Sequence, residues 1–189
     1  AQVDDSYLYG WERADGLTQN GSTVLSCVTN EIAHSGSNSL LLKHEDSSQY
    51  GSDLKIKQGN LSLGEGTYTL SFWAAGTVAD GTDSDSYNDQ QIVWMPNVGE
   101  GWFLVKNLVT DEIDGDWRKY SLDFTVESGK TVTEMSISIR GYGATGLFLD
   151  DISIVKSGTT SNLVKNGSFD FNGSAEYTDA YEAYFTGWD

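Results

Sequence analysis

The sequence predicts an all-β protein, a two-sheet antiparallel β-sandwich of the jelly-roll kind. Three observations lead there. Alternation of period two runs through short segments rich in β-branched and aromatic residues. Gly, Asn, Asp and Ser separate those segments, as turns require. No segment keeps a helical period beyond a turn or two. With 189 residues the chain can bury one core. Around ten strands at this spacing fit two stacked sheets.

Residues 7–13 (YLYGWER), 24–29 (VLSCVT), 39–45 (SLLLKHE) and 52–57 (SDLKIK) open the series. Residues 67–75 (TYTLSFWAA) have the clearest phase: Tyr68, Leu70 and Phe72 share one face, leaving Thr69, Ser71 and Trp73 on the other. Trp73 therefore points away from the core. Leaving an indole in water forgoes about 2–3 kcal/mol of burial, so an outward Trp calls for a use. Sugar rings supply one, because their C–H faces stack on aromatic planes while neighbouring hydroxyls bond short polar side chains such as Ser71. Cover by a loop would also account for it.

Residues 91–95 (QIVWM) and 102–108 (WFLVKNL) carry apolar residues on both faces. Each is either covered on both sides or backed by an aromatic platform, so Trp94 and Trp102 are candidates for core and for ligand contact alike. Residues 117–126 place Tyr120, Leu122, Phe124 and Val126 inside, with Lys119, Ser121, Asp123 and Thr125 outside. Residues 133–141 place Met135, Ile137 and Ile139 inside, with Ser136, Ser138 and Arg140 outside and Tyr142 following them. Arg140 and Tyr142 beside Trp73 would form a polar cleft. Residues 147–156 (LFLDDISIVK) close the series. Asp150 has the parity of Phe148, Ile152 and Ile154, the expected core face, where a carboxylate needs a cation or hydrogen-bond donors. Asp151 has the opposite parity and is expected to be exposed.

Two stretches fall outside this pattern. Residues 79–89 (ADGTDSDSYND) are acidic and without apolar periodicity, marking a long exposed loop or a metal-binding one. Past residue 156, composition divides the chain into a module over 1–157, a linker at 158–162, and a tail over 163–189. In the tail, Ser168-Phe169-Asp170 echoes Gly10-Trp11-Glu12. It is either the start of a second, similar module or an extension packed on the first.

Composition removes several function classes. Net charge is −17, from 28 acidic against 11 basic residues, so phosphate backbones and anionic membranes are repelled. No apolar run approaches the roughly 20 residues that span a bilayer. Cys27 is the only cysteine, which rules out an internal disulfide, and two histidines, His34 and His44, cannot build a usual zinc site. The 23 aromatics (6 Trp, 10 Tyr, 7 Phe) with abundant Asp, Gly, Ser, Thr and Asn fit a secreted, glycan-handling protein. Catalysis lacks a constellation. The acids between Asp80 and Asp116 fall in no catalytic strand motif, and two histidines give no credible Ser-His-Asp set.

Four segments in order resemble bacterial carbohydrate-binding modules of families 4, 9, 16 and 22: Gly10-Trp11-Glu12, residues 33–42 (AHSGSNSLLL), residues 66–74 (GTYTLSFWA) and residues 148–154 (FLDDISI). Those families are β-jelly rolls appended to xylanases, glucanases, mannanases and related enzymes. The resemblance implies a non-catalytic module that holds a polysaccharide, a neutral β-linked plant cell-wall glycan such as xylan or glucan, for a glycoside hydrolase on the same polypeptide. It implies a secreted or cell-surface bacterial protein, monomeric, with neither nucleic acid nor membrane insertion in its function. It also implies a ligand-stacking Trp at Trp73. A structural calcium is implied at the side chains of Glu12 and Asp150 and the carbonyls of Gly10, Ser35 and Asn38. An adhesion or protein-interaction sandwich is the second reading, and a small polysaccharide-degrading jelly roll the third.

Overall fold

A computed structural model describes residues 2–13, 18–19, 22–44, 54–78, 91–97, 103–107, 115–140 and 145–174. A 3-10 turn, Asp5–Leu8, precedes the strands β1 (Glu12–Arg13), β2 (Thr18–Gln19), β3 (Ser22–Thr29), β4 (Ser39–His44), β5 (Leu54–Gln58) and β6 (Gly66–Val78). The rest are β7 (Gln91–Pro96), β8 (Phe103–Asn107), β9 (Arg118–Val126), β10 (Met135–Arg140) and β11 (Thr145–Lys156). They form a five-stranded sheet, β1-β5-β10-β7-β8, and a six-stranded sheet, β2-β3-β4-β11-β6-β9. Every pairing is antiparallel. The all-β jelly-roll sandwich predicted from period-two alternation is the fold observed.

The first predicted strand is the exception. Only Glu12 and Arg13 of residues 7–13 are extended, because the Asp4 carboxylate accepts from the Ser6 N–H at 2.8 Å and caps a 3-10 turn. β6 behaves as its phase requires. Tyr68, Leu70, Phe72 and Ala74 are buried, Thr67 and Thr69 exposed, and Ser71 and Trp73 half-buried. It runs on past residue 75 because Gly76, at φ +133, lets β11 approach; a Cβ there would meet the Gly146 carbonyl.

The core lies between the sheets. Ile56, Trp94, Met135 and Ile137 come from the five-stranded sheet, and Leu40, Leu42, Leu70, Phe72, Leu147, Leu149, Ile152 and Ile154 from the six-stranded one. Trp94 is fully buried, packs on Phe124 with centroids 4.1 Å apart and rings tilted by 39°, and directs its Nε1–H at the Met135 sulfur, 3.1 Å away. Its candidacy as a ligand contact is therefore corrected: it is core. β7 lies between β10 and β8 in its sheet. Ser138, expected outside, is also fully buried.

β11 departs from simple alternation. Asp150 pairs with Trp73, but the next pair is Ser153 with Ser71, so one extra residue on β11 forms a bulge. Asp151 within it has φ +50. The bulge reverses the phase: Leu147 and Leu149 face the core before it, Ile152 and Ile154 after it. Phe148 and Asp150 thus do not share a face with Ile152 and Ile154, contrary to the parity reading. Asp150 projects with its partner Trp73 from the outer side.

Residues beyond β11 pack on the sandwich. The Ile154 carbonyl accepts from Leu163 N–H at 2.8 Å, and Ile152 N–H, at the bulge, donates to the Gly167 carbonyl at 3.1 Å. Val164, Asn166, Ser168, Phe169 and Phe171 are buried. The Asn166 amide donates to the Tyr7, Tyr9 and Phe171 carbonyls and accepts from Phe171 N–H. Trp11 lies over Phe169 at 5.7 Å, and Tyr9 meets Phe171 edge-on at 4.9 Å, so the two echoing segments sit side by side.

Candidate functional site

The site is built on the outer face of the six-stranded sheet, around the rung where Trp73 on β6 pairs with Asp150 on β11 and Lys119 on β9. A loop between β3 and β4 covers this rung. One oxygen of Asp150 accepts from the His34 and Ser35 N–H groups, at 2.8 and 3.1 Å, and the other from Asp151 N–H at 2.7 Å. Asp150 is fully buried although its strand position is outward, because the loop lies on it. Burial pushes its carboxyl far above the usual range, with the Asp151 charge adding to the rise, against the pull of the Ser35, His34 and Asp151 N–H donors.

The loop carries His34 onto Trp73. The two rings are parallel to within 13°, with centroids 3.8 Å apart, and Trp117 meets the imidazole edge-on at 5.8 Å. Asp151 fixes the ring: one oxygen lies 2.6 Å from His34 Nδ1 and the other accepts from Ser35 Oγ at 2.6 Å. Its side chain is only 12% exposed, so the expectation of an exposed Asp151 is corrected. The bulge turns it onto the loop instead.

The far end of the loop is held by the tail. Asp170 accepts from the Ser37 and Asn38 N–H groups at 3.0 and 3.1 Å, and the Asn38 side chain donates to the Phe169 carbonyl at 3.2 Å. Gly36, at φ +58, is required there because a Cβ would collide with the Asp170 carboxylate. Burial raises the Asp170 carboxyl to about 6, against those two N–H donors. A folded-state value above the unfolded one means that the stabilising contribution is full below about pH 4 and is lost as pH rises. For Asp170 that loss runs through about pH 6, and Asp150 shifts in the same direction. Thermal melts in chelator are expected to give a Tm a few degrees higher near pH 5 than above pH 7, at about 2–4 °C per kcal/mol. Asp170→Asn, which keeps the acceptor oxygen, should flatten much of that difference; an unchanged pH profile in this variant would contradict the assignment.

The other expected contacts separate. Ser71 follows Trp73 on the outer face of β6. Arg140 belongs to β10, in the opposite sheet, so it cannot share a cleft with Trp73, and that grouping is corrected. Trp102, Tyr142 and the acidic stretch 79–89 lie outside the described residues. The two side chains of the implied calcium set lie on different sheets. Glu12, with a side chain 72% exposed, pairs with Lys57 at 3.2 Å on the five-stranded sheet, while Asp150 is occupied by backbone N–H groups on the other. The Asn38 side chain donates to the Phe169 carbonyl, and Gly10 is an exposed turn residue at φ +82 beside Lys165. Among the described residues no three His, Cys, Asp or Glu side chains are grouped to hold a metal.

Sequence reading missed His34 as the neighbour of Trp73, with Trp117 and Asp151 around the imidazole. The family resemblance brings Ser35 of this loop to Asp150, as observed, but no local pattern sets His34 on the indole.

No family model matches the chain. Endo-1,4-beta-xylanase A of Thermotoga maritima is 25% identical over 160 residues, covering 84% of this chain and 14% of that protein. The same-named protein of Thermotoga neapolitana is 25% identical over 161 residues, again 14% of its length. The chain thus spans a small fraction of the curated relatives it matches. Among solved structures, a family 4 carbohydrate-binding module superposes with TM-score 0.51 at 18% identity, covering 78% of this chain and 86% of that one. The mannan-recognising module TmCBM27 gives TM-score 0.52 at 14% identity, covering 82% and 95%.

The chain has the fold of carbohydrate-binding modules.

This sandwich is not confined to them: the enzymatically active domain of bacteriophage CBA120 tailspike protein 4 gives TM-score 0.53 at 14% identity, over 79% of this chain and 20% of that one. Fold therefore does not settle function, and the side chains at the site must.

Proposed function

We propose that this chain is a non-catalytic carbohydrate-binding module that holds a neutral, β-linked plant cell-wall polysaccharide for a glycoside hydrolase on the same, secreted polypeptide. One observation carries the reading: Trp73 is set half-buried on an outward, otherwise polar strand face, with the His34 ring stacked on one side of its indole. An outward aromatic pair beside polar groups is the chemistry that recognises a sugar ring. The charge of −17 favours a neutral glycan over an acidic one. Thermotoga maritima xylanase A, of which the chain matches 14%, is an enzyme to which such a module would be useful.

Affinity electrophoresis against xylan, mannan, galactan and mixed-linkage glucan tests this. Retardation by one of these glycans is expected, and Trp73→Ala should weaken it about 30-fold, the scale of a lost aromatic hot spot of about 2 kcal/mol. Trp73 is only half-buried, so the variant should still melt cooperatively. Absence of retardation by every glycan would overturn the proposal in favour of a protein-interaction sandwich.

A further inference from the structure

We infer that His34 is a ligand-binding residue that works beside Trp73, offering Nε2 to a hydroxyl of a neutral sugar; this rests on the glycan-binding reading of the Trp73 face. Three features single it out. Its Nδ1 is engaged by the Asp151 carboxylate at 2.6 Å, which fixes the plane of the ring and leaves Nε2 as the nitrogen for a ligand. Among the described residues Nε2 has no hydrogen-bond partner, while the side chain is 24% exposed. The ring is held between two indoles, stacked on Trp73 and edge-on to Trp117, so its polar nitrogen lies within an aromatic frame.

The clamp on the ring is separate from what holds the loop. The backbone is already pinned by Asp150 to His34 and Ser35 N–H, by Asp170 to Ser37 and Asn38 N–H, and by Ser39 Oγ donating to the Ile32 carbonyl at 2.7 Å. Loop folding does not need the Asp151–His34 contact, which acts on the imidazole alone. A sugar hydroxyl suits Nε2 because it both donates and accepts, so it pairs with imidazole or imidazolium. A uronate carboxylate suits the place less: with the Nδ1 proton given to Asp151, Nε2 of a neutral imidazole is an acceptor and a carboxylate has no proton to offer it. His34 thereby becomes a determinant of selectivity for neutral over acidic glycans as well as of affinity.

The test uses the full chain with xylohexaose and mannohexaose as probes. Titration calorimetry is run on wild type, Trp73→Ala, His34→Ala and His34→Gln, with thermal melts of each and 15N imidazole spectra of the wild type. Expected results are a His34 Nε2 resonance that moves on adding the bound hexaose and binding at least 10-fold weaker in His34→Ala. Tm should be little changed, and His34→Gln should recover part of the affinity through its amide. Loss of binding in Trp73→Ala with His34→Ala within twofold of wild type and an unmoved Nε2 signal overturns the role of His34 and leaves the Trp73 site standing. Binding unchanged in both variants, or no binding of either probe by the wild type, overturns the site and the role of His34 together.

Discussion

Ending the chain after Ser161 is expected to abolish its cooperative fold. The residues removed include Val164, Phe169 and Phe171, all at most 3% exposed. Fully burying an apolar side chain of this size contributes about 1.5–3 kcal/mol. Asn166 is lost with them, and its amide satisfies carbonyls on both sides of the junction, at Tyr7, Tyr9 and Phe171. The cut also strips the Gly167 carbonyl from the β11 bulge and the Asp170 carboxylate from the loop that covers Trp73. Together these approach the roughly 5–15 kcal/mol that holds a domain folded. A chain ending at Ser174 keeps every one of these contacts and is the control. Circular dichroism and urea melts of the two chains decide it; a Ser161-terminated chain that melts cooperatively at the temperature of the control would show the tail to be dispensable. Asn166→Ala isolates the polar part. Leaving its buried partners unmatched should cost about 1–3 kcal/mol, and Asn166→Asp should cost more, because a buried carboxylate would face the Tyr7, Tyr9 and Phe171 carbonyls with no proton to donate.

Trp94→Ala should destabilise the protein by about 3–5 kcal/mol, the range for an aromatic removed from a packed core. The indole has no solvent exposure, lies 4.1 Å from Phe124 and points its N–H at Met135. Alanine would leave a cavity between the sheets that the surrounding side chains could fill only in part, whereas Trp94→Phe should lose less. Guanidinium unfolding measures the loss directly. The contrast with Trp73 is the point of interest: one tryptophan should carry stability and the other binding. Trp94→Ala protein that keeps its unfolding midpoint but no longer binds glycan would reverse these assignments.

Much of the sandwich was legible because alternation reports which side of a strand meets the core. It placed Tyr68, Leu70 and Phe72 inside and Trp73 outside, and it phased β9 and β10 from Phe124, Val126, Met135 and Ile137. Apolar residues on both faces, as around Trp94, carry no such phase, so burial of that side chain is decided only by its packing against Phe124 and Met135. Alternation is also silent on which strands share a sheet. That is why Arg140 was grouped with Trp73 although β10 and β6 lie in opposite sheets.

By itself, then, the sequence determined the fold class, the strand order along the chain and the outward Trp73, because each follows from local periodicity and turn chemistry. The tertiary structure alone decided that the bulge at Asp150 to Ser153 reverses the phase of β11. It alone set His34 on Trp73 and brought Asn166 and Asp170 back against the opening turn and the covering loop. The physical reason is separation along the chain: His34 Nδ1 meets a carboxylate 117 residues away, and Asn166 a carbonyl 157 residues away. Contacts of that range are selected by packing of the whole sandwich, and no local pattern encodes them.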